Sequence, residues 1–269
     1  MPQHSAHYHL GSPFIELQSV DSTNNYARNL IHEGLAQHGT AIFAHEQVAG
    51  KGQRGKIWTS DKGSNVMLSL IVKPQLLLLT QQFQLNVCVT VAVHELFMKY
   101  AGGNTKIKWP NDLYWQDRKA GGILIESGVG SRESGVRSRE SGDSNSTVAH
   151  WKWSIIGIGI NINQTAFPSN LSNPVSLKQI TGKNFNTVTL AKEICDTLNR
   201  KLDELMKYGF NNIYARYLSQ LYKINSTVKL KKSNRVFEAV IKGVNMAGQL
   251  VVHHSIEEAF NFGEIEWVI

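Results

Sequence analysis

Residues 50–58 read Gly-Lys-Gly-Gln-Arg-Gly-Lys-Ile-Trp and stand between two strand-like runs. Three glycines and three cations fall within residues 50–56, a composition typical of a loop that wraps an anionic ligand. Residues 58–64 indicate a turn, and residues 65–72 indicate the next strand. A crossover helix needs roughly a dozen residues, and this stretch has no room for one. The loop therefore joins two strands directly, and this restricts the fold more than any other segment.

The residue pattern of this loop matches two well-known phosphate-binding motifs. Gly50-x-Gly52-x-x-Gly55 fits the dinucleotide fingerprint, and the run from Gly50 to Lys56 fits most of a P-loop. Both motifs need a helix that begins at the loop, because the phosphate binds at the helix N-terminus. Ile57 also lacks the hydroxyl that a P-loop presents to magnesium. The context excludes both motifs, and the loop alone leaves an anion-binding flap and a flexible hairpin with solvated charges equally open.

The composition is that of a folded protein without membrane spans. Hydrophobic residues make up 42% of the chain, and no apolar run approaches the ~18 residues of a membrane span. The first residues lack the apolar segment of a signal peptide, and Cys88 and Cys195 are too few for a disulfide framework. The sequence therefore predicts a cytoplasmic protein that does not associate with membranes.

The formal net charge of +7 is compatible with two classes of protein. A nucleic-acid-binding module is one, and an enzyme that acts on anionic substrates is the other. The cations are scattered along the chain, and no predicted helix carries a basic stripe. Charge alone leaves both classes open.

The hydrophobic pattern predicts an α+β fold with a mixed, largely antiparallel sheet. A helix begins at Asp21 or Ser22, and longer helices are predicted over 80–100 and 190–206. Short alternating runs after residue 225 indicate a small all-β unit, such as a barrel. The predicted organisation is a disordered tail (1–12), a catalytic domain (13–222) and a C-terminal β domain (223–269).

Residues 127–150 are rich in glycine, serine and arginine and contain a seven-residue tandem repeat. A duplication of this composition cannot build a core. We predict that residues 127–150 form an extended, mobile hairpin loop.

Three further constellations carry side chains suited to ligand binding. The run Lys108-Trp-Pro-Asn-Asp112 places a carboxylate after a rigid proline turn, where it could ligate magnesium beside a nucleotide phosphate. Lys119 is separated by one residue from two glycines, which let a ligand approach the backbone. Asn161 ends a strand with an amide that both donates and accepts, as an adenine edge requires. Taken alone, Asp112 and Lys119 are better explained as residues of ordinary turns, whereas Asn161 is equally well explained as an ordinary strand end.

Taken together and in this order, the motifs resemble those of the biotin–protein ligase family. They are Asp21-Ser-Thr-Asn24, Gln47-x-x-Gly50-Lys-Gly-x-Arg-Gly-x-x-Trp58, Lys108-Trp-Pro-Asn-Asp112, Arg118-Lys-x-Gly-Gly122 and Gly157-x-Gly-x-Asn161. The resemblance covers roughly residues 15–269. It implies a catalytic fold like that of class II aminoacyl-tRNA synthetases, shared with lipoate ligases, and an SH3-like C-terminal β-barrel.

The resemblance also implies an activity. Members of the family join biotin to ATP, which gives biotinyl-5′-adenylate and pyrophosphate. They then transfer biotin to a lysine of a carrier domain, typically the biotin carboxyl carrier protein of acetyl-CoA carboxylase. The implied ligands are ATP, biotin and Mg²⁺. A lipoate or octanoate ligase of the same fold is the alternative enzyme, and a nucleic-acid-binding module is the alternative outside enzymes.

Site residues are carried over from the family motifs position by position. The implied catalytic cations are Lys119, Arg54 and Lys51. The implied biotin-binding residues are Ser22, Thr23, Asn24, Gln47, Gly50, Lys51, Gly52, Gln53, Lys119, Gly121 and Gly122. The implied ATP- and adenylate-binding residues are Arg54, Lys56, Trp58, Asn111, Lys119 and Asn161. Asp112 would support Mg²⁺.

The chain departs from the family pattern at two positions of the loop. Lys51 and Gln53 stand where the family usually has arginine, so one bidentate fork and one whole charge are lost. The chain also starts close to the first motif, which leads us to expect no DNA-binding repressor domain. The sequence leaves a homodimer open.

Overall fold

The computed structural model describes residues 9–74, 77–130, 150–171 and 173–268. A seven-stranded sheet lies at its centre. The strands are β1 (Phe14–Leu17), β2 (Ala41–Ala44), β3 (Val66–Val72), β4 (Thr105–Lys108), β5 (Asp112–Trp115), β6 (Arg118–Gly130) and β7 (His150–Ile160). Their order is β1-β2-β3-β7-β6-β5-β4. Strands β1 and β2 pair in parallel and the other neighbours pair antiparallel, which confirms the predicted mixed, largely antiparallel sheet.

Helices cover both faces of this sheet. They are α1 (Thr23–His32), α2 (Gln82–Ala101), α3 (Leu177–Thr181), α4 (Thr187–Tyr208) and α5 (Asn211–Ser219). Leu68 of β3 belongs to the apolar cluster with α2 and α4, whereas Ile71 belongs to the cluster with α1. Alternate residues of a strand point to opposite faces. Strand β3 is buried along its whole length because both of its faces are covered.

The hairpin of β6 and β7 is longer than predicted. Strand pairing runs from Gly121 opposite Ile160 to Gly130 opposite His150. The predicted loop over 127–150 is therefore wrong at both ends, because residues 127–130 and 150 lie in the strands. Backbone hydrogen bonds hold this part of the ladder and do not require apolar side chains. The rest of the predicted loop, with most of the tandem repeat, lies outside the described residues.

The predicted disordered tail over 1–12 is wrong for residues 9–12. Leu10 is only 1% exposed and belongs to the main apolar cluster. Its backbone N–H donates to Asn199 Oδ1 in α4 at 2.9 Å, and Gly11 N–H donates to Gly39 O at 2.8 Å. One buried leucine and several long-range hydrogen bonds hold this segment. Residues 1–8 lie outside the described residues.

A second, five-stranded antiparallel sheet follows the helices. Its strands are β8 (Thr227–Lys232), β9 (Arg235–Val244), β10 (Leu250–His253), β11 (Glu257–Phe260) and β12 (Glu266–Val268), in the order β11-β10-β9-β8-β12. Leu230 and Phe260 pack in one apolar cluster with Val87 of α2 and Tyr217 of α5. The predicted second β unit is confirmed, and the domain boundary at 222/223 stays a prediction.

Within the described ranges, no helix combines the length and apolarity needed to cross a membrane. Cys88 and Cys195 are both buried free thiols.

Candidate active site

The candidate site lies on the face of the large sheet that α1 covers in part. Register places Asp112 opposite Gly122 and Gly122 opposite Gly159, so these three residues form one row across β5, β6 and β7. Gly157, two residues before Gly159, lies opposite Ser69 of β3. Residues opposite each other in a ladder point to the same face, as do residues two apart in a strand. The row and its neighbours thus form one continuous floor.

Two glycines keep this floor open for larger side chains. A Cβ on Gly157 would lie 2.5 Å from Asn24 Oδ1, and a Cβ on Gly159 would lie 2.8 Å from the Trp58 ring. Neither distance is compatible with a real side chain. The small residues of β7 therefore create the space in which the side chains of Asn24 and Trp58 approach the backbone of the sheet.

Four polar side chains form a compact group here, which we call the neutral pocket: Thr23, Asn24, Gln47 and Ser69. Gln47 Oε1 accepts from the backbone N–H of Thr23 at 2.7 Å and from its hydroxyl at 3.0 Å. Ser69 Oγ lies 2.7 Å from Thr23 Oγ1 and 2.6 Å from Asn24 Oδ1. An amide oxygen only accepts, so Ser69 donates to Asn24. Thr23, Asn24 and Ser69 are buried, which makes these hydrogen bonds costly to break.

A carboxylate fixes the other end of the Asn24 amide. Asn24 Nδ2 donates to Glu126 Oε2 at 2.7 Å, and Arg28 pairs with the other oxygen of Glu126 at 2.5 Å. With Ser69 donating to Oδ1, the amide has one orientation that satisfies both ends. Ser22, the residue before the pocket, is buried at the N-cap of α1, and its side chain makes no capping hydrogen bond.

Next to the neutral pocket lies a group that we call the charged face: Lys108, Asp112 and Lys119. Lys119 Nζ lies 2.7 Å from Asp112 Oδ2, with side chains 35% and 25% exposed. The register shifts between β5 and β6, because Lys119 opposes Tyr114 whereas Gly121 opposes Leu113. Ala120 is thus the extra residue of a β-bulge, which turns Lys119 and Gly122 to the same face. A Cβ on Gly122 would lie 2.8 Å from Asp112 Oδ1, so the glycine makes room for the ion pair.

Lys108 is the buried member of the charged face. Its Nζ lies 3.2 Å from the Tyr114 hydroxyl, 4.8 Å from the centre of the Tyr114 ring and 5.1 Å from the centre of the Trp267 ring. Burial lowers the pKa of Lys108 to about 8, with Lys119 and Lys56 acting in the same direction and Asp112 against it. Trp267 belongs to β12, so the second sheet supplies part of the lysine's surroundings.

The loop over residues 50–58 is folded as a tight hairpin beside both groups. Gly52 N–H donates to Lys56 O at 2.7 Å, and Trp58 N–H donates to Gly50 O at 2.9 Å. A Cβ on Gly50 would lie 2.4 Å from Trp58 O, so the two sides of the hairpin can meet only at a glycine. The cations Lys51, Arg54 and Lys56 are all exposed.

Arg54 sits at the tip of this hairpin with a φ of 56°, an uncommon conformation for a residue with a side chain. A Cβ on Gly263 would lie 3.0 Å from its guanidinium carbon. The tip thus rests on the turn between β11 and β12. The second sheet therefore borders the site at two places, Trp267 and Gly263.

Similarity to known proteins identifies the family to which this chain belongs. Residues 16–136 match the model of the biotin/lipoate A/B protein ligase family. The bifunctional ligase/repressor BirA of Bacillus spizizenii is 30% identical over 246 residues, which cover 90% of this chain and 70% of that protein. The chain belongs to the biotin–protein ligase family. It is therefore an enzyme, and the resemblance noted from its motifs is confirmed.

Two further comparisons agree with membership of the biotin–protein ligase family. The biotin–[acetyl-CoA-carboxylase] ligase of Paracoccus denitrificans is 28% identical over 243 residues, which cover 88% of this chain and 92% of that protein. The biotin protein ligase from Aquifex aeolicus in complex with biotin and ATP has a TM-score of 0.73 at 24% identity, with 95% of this chain and 98% of that chain covered. The latter shows that the fold is shared.

The structure brings most of the residues carried over from the family motifs to one region, whereas Gly121 lies opposite Leu113 and Ile160 on the face that packs in the main apolar cluster. Thr23, Asn24 and Gln47 meet in the neutral pocket, Lys119 and Asp112 meet in the charged face, and the loop residues lie beside them. Asn111 and Asn161 are held by neighbours within the protein. Asn111 accepts from Gln53 at 2.6 Å and donates to Asn86 at 2.6 Å. Asn161 Nδ2 donates to Val175 O at 3.2 Å.

Motif reasoning assigned no role to four further residues of the candidate site: Arg28, Ser69, Lys108 and Glu126. Ser69 left one signal, since it is the polar residue in the otherwise apolar strand Val-Met-Leu-Ser-Leu-Ile-Val. A buried hydroxyl needs a hydrogen-bond partner. Lys108 had been noted as a cation before the proline turn but without a role. Its aromatic neighbour Trp267 comes from the far end of the chain, which no local pattern indicates.

Proposed function

We propose that this enzyme activates biotin with ATP to biotinyl-5′-adenylate and then transfers the biotinyl group to a lysine of the biotin carboxyl carrier protein of acetyl-CoA carboxylase. One observation carries the proposal. A neutral pocket and a charged face lie side by side on one sheet surface, beside one basic loop. Biotin has the same two parts, a neutral ureido ring and a carboxylate.

The neutral pocket suits the ureido ring. The ring presents a carbonyl acceptor and two N–H donors, so its site needs donors and acceptors close together. Thr23, Asn24 and Gln47 offer hydroxyl and amide groups whose orientation the internal hydrogen bonds already define. Such preorganisation lowers the entropy cost of binding. In this proposal, Ser22 and the backbone at Gly50 and Gly52 also contact biotin.

The charged face suits the reacting groups. In the first step a biotin carboxylate oxygen attacks the α-phosphorus of ATP, and the bond to pyrophosphate breaks. Lys119 would contact both the carboxylate and the α-phosphate, which neutralises charge that builds up between two anions. Lys51, Arg54 and Lys56 would approach the phosphates from the loop. Catalysis here consists of positioning and charge neutralisation, with no protein nucleophile.

In the second step the ε-amine of the acceptor lysine attacks the biotinyl carbonyl carbon. The amide bond forms, AMP leaves with the electron pair of the acyl–phosphate bond, and the amine loses a proton. The same cations stabilise the departing AMP.

The nucleotide contacts are part of the proposal as well. Asn161 uses its amide N–H groups on backbone oxygens, so its Oδ1 is the atom offered to an adenine amino group. The indole N–H of Trp58 is buried and has no hydrogen-bond partner among the described residues. A buried donor of this kind needs an acceptor, and an oxygen of the adenylate would supply it.

A magnesium ion fits this site only together with a nucleotide. The described residues contain no group of three or more His, Cys, Asp or Glu side chains placed to hold a metal. Asp112 offers one carboxylate beside the proposed phosphate position, and Mg²⁺ is usually bound by one or two carboxylates plus substrate phosphates. Asp112 would hold the ion, which would supply charge neutralisation at the phosphates.

Two assays test the proposed function. We expect biotin-dependent exchange of pyrophosphate into ATP, and a mass increase on a carrier domain when biotin and ATP are both present. Substituting lysine at the acceptor position by arginine in the carrier domain is the control for the second assay. Exchange with lipoate or octanoate and none with biotin would instead identify the alternative ligase. Salt-sensitive DNA binding without any adenylation would identify a nucleic-acid-binding module.

A further inference from the structure

Glu126 lies beside the neutral pocket and connects it to a charged side chain of α1. It belongs to β6 and shares the sheet face of Gly122, because residues an even number of positions apart in a strand point the same way. Its Oε1 accepts from Arg28 Nη2 at 2.5 Å, and its Oε2 accepts from Asn24 Nδ2 at 2.7 Å. Arg28 is also held by Asn25, whose Oδ1 accepts from Nη1 at 3.0 Å. One carboxylate thus serves two donors, a charged one and a neutral one.

The charge of this carboxylate decides which way the Asn24 amide faces. A carboxylate oxygen accepts, so the amide must turn Nδ2 toward Glu126 and Oδ1 toward Ser69. Ser69 Oγ lies 2.6 Å from Asn24 Oδ1 and 2.7 Å from Thr23 Oγ1. A hydroxyl has a single proton, and Asn24 Oδ1 takes it, so Ser69 donates nothing to Thr23. The direction of each hydrogen bond in this series therefore follows from the first.

We propose that Glu126 is a positioning residue whose charge sets the polarity of the relay from Asn24 through Ser69 to Thr23. The relay thereby fixes the pattern of donors and acceptors that the neutral pocket offers a ligand. Thr23 Oγ1 accepts from neither of these side-chain neighbours, because Ser69 donates elsewhere and Gln47 Oε1 is itself an acceptor. Its lone pairs can then accept from an N–H group of the ligand. This step rests on the proposed function, in which the ureido ring of biotin supplies that donor.

Removing the charge without changing the shape should reverse the relay. In Glu126→Gln, position 126 has one acceptor oxygen for two donors. Arg28 can only donate, and its charge-assisted hydrogen bond is the stronger one, so it keeps the oxygen. The new amide N–H then faces Asn24, whose own amide turns over and donates to Ser69. The Ser69 proton turns to Thr23, and the pocket keeps its shape but offers a different pattern of donors.

Titration calorimetry with biotin tests the relay on two single variants and their combination. We expect Glu126→Gln to weaken binding about tenfold or more, because the pocket then offers the wrong donors. Arg28→Met leaves the carboxylate facing Asn24 and should cost about threefold at most. In the double variant the glutamine oxygen can face Asn24, so binding should recover to the level of Arg28→Met. A double variant that binds as weakly as Glu126→Gln, or more weakly, would overturn the relay.

A matched control separates the relay from the general loss of a carboxylate. The Glu193 side chain is 30% exposed, against 29% for Glu126, and it pairs with Lys99 at 3.0 Å away from the site. Glu193→Gln should leave biotin binding within about twofold of wild type. A loss equal to that of Glu126→Gln would show that the effect does not come from the relay, and the inference would fail.

Nuclear magnetic resonance measures the polarity of the Asn24 amide independently of biotin. In the wild-type protein, the nuclear Overhauser effect from the Nδ2 protons should be strongest to the side-chain methylene groups of Glu126. In Glu126→Gln it should be strongest to the methylene group of Ser69, and in the double variant the wild-type pattern should return. An identical pattern in wild type and Glu126→Gln would show that the charge does not set the polarity.

Kinetics distinguish an effect on binding from an effect on the chemical step. In biotin-dependent pyrophosphate exchange, Glu126→Gln should raise the KM for biotin about tenfold and change kcat less than about twofold, because the relay does not touch the reacting carboxylate. A fall in kcat at an unchanged KM would overturn the positioning role. If the wild-type protein neither binds biotin nor supports exchange with it, the proposed function fails, whereas the Overhauser measurement still decides the relay.

Discussion

The neutral pocket and the charged face lie on the same sheet surface but are built in different ways. In the neutral pocket, the Thr23, Asn24 and Ser69 side chains are buried and the hydrogen bonds among the pocket's side chains run between neutral groups. In the charged face, Lys119 and Asp112 remain partly exposed and hold each other by charge. Directional hydrogen bonds hold the first arrangement, whereas in the second an entering anion competes with Asp112 for Lys119.

This difference has a physical reason. A neutral heterocycle offers only directional hydrogen bonds, so its site gains most from fixed geometry. A carboxylate and a phosphate bring charge that changes during the reaction, so their site gains from cations that strengthen their contacts as charge develops. Variants should therefore affect biotin binding through geometry in the pocket and turnover through charge in the charged face.

The largest effect should follow from removing the cation of the charged face. Lys119→Ala deletes the proposed contact to carboxylate and α-phosphate and leaves Asp112 without its 2.7 Å ion-pair partner. Truncating one member of such a charge-assisted contact costs on the order of 2–5 kcal/mol, which is about 30- to 4,000-fold in kcat/KM. Pyrophosphate exchange measures it. Lys99→Ala on the opposite side of the sheet is the control, since Lys99 pairs with Glu193 away from the site. Wild-type exchange in Lys119→Ala would refute the role.

The next effect should come from the geometry of the neutral pocket. Gly157→Ala would place a methyl group 2.5 Å from Asn24 Oδ1 and force the amide away from Ser69 and Glu126. Overpacking of this kind costs about 1–3 kcal/mol, so biotin affinity should fall on the order of tenfold to a hundredfold. Titration calorimetry with biotin alone measures it. Gly128→Ala in the same hairpin is the matched control, because its Cβ would meet Trp153 O at an ordinary 3.9 Å. Equal affinities in the two variants would contradict the assigned pocket.

A smaller effect should separate the two properties of Trp58. Trp58→Phe keeps an aromatic ring on Gly159 but removes the buried indole N–H, which has no acceptor among the described residues. A lost hydrogen bond is worth about 1 kcal/mol, so the KM for ATP should rise about fivefold. Trp58→Ala should raise it further because the ring is lost too. An unchanged KM in Trp58→Phe would show that the N–H does not meet the nucleotide.

More of the neutral pocket than of the charged face could be predicted from the sequence. In the neutral pocket, three of four residues come from two short motifs that fold close together, because residues 20 and 47 pair in adjacent segments. The charged face depends on a β-bulge. Lys119 and Gly122 are three residues apart, so strict alternation would point them to opposite faces, and only the extra residue Ala120 brings them to one face. A bulge has no clear sequence signal at this position.

Contacts between segments that are far apart in the chain could not be predicted from the sequence either. Glu126 and Arg28 meet across two elements, and the N-terminal Leu10 was misjudged because a single apolar residue in a polar segment gives no periodicity. The overall strand and helix pattern was correct because long periodic segments dominate it, as in α2 and β7. Long-range partners depend on packing, which local patterns do not encode.

The last effect concerns Lys108 and is a dependence of stability, rather than of activity, on pH. Burial lowers the pKa of Lys108 from its ordinary value of 10.5 to about 8. Between these values the unfolded chain binds a proton that the folded protein has released, so the free energy of unfolding rises with pH. Above about pH 10 unfolded tyrosines begin to ionise, whereas burial raises the pKa of Tyr114 in the folded protein. Tyrosine ionisation in the unfolded chain lowers the free energy of unfolding as pH rises. The effect of Lys108 is therefore measured between pH 8 and 9.5.

Lys108→Met should remove the rise. The difference in unfolding free energy between wild type and Lys108→Met, measured by urea denaturation, should change in favour of wild type by up to about 1.4 kcal/mol per pH unit across that window. Below pH 8 the difference should become constant, because Lys108 is then protonated in both states. Lys106→Met is the control for the loss of a lysine. Lys106 lies on the same strand as Lys108, and its Nζ donates to Gln220 Oε1 at 3.0 Å. A flat difference between pH 8 and 9.5 would mean that Lys108 keeps its charge, and the charged face would then hold two cations at every pH at which the enzyme works.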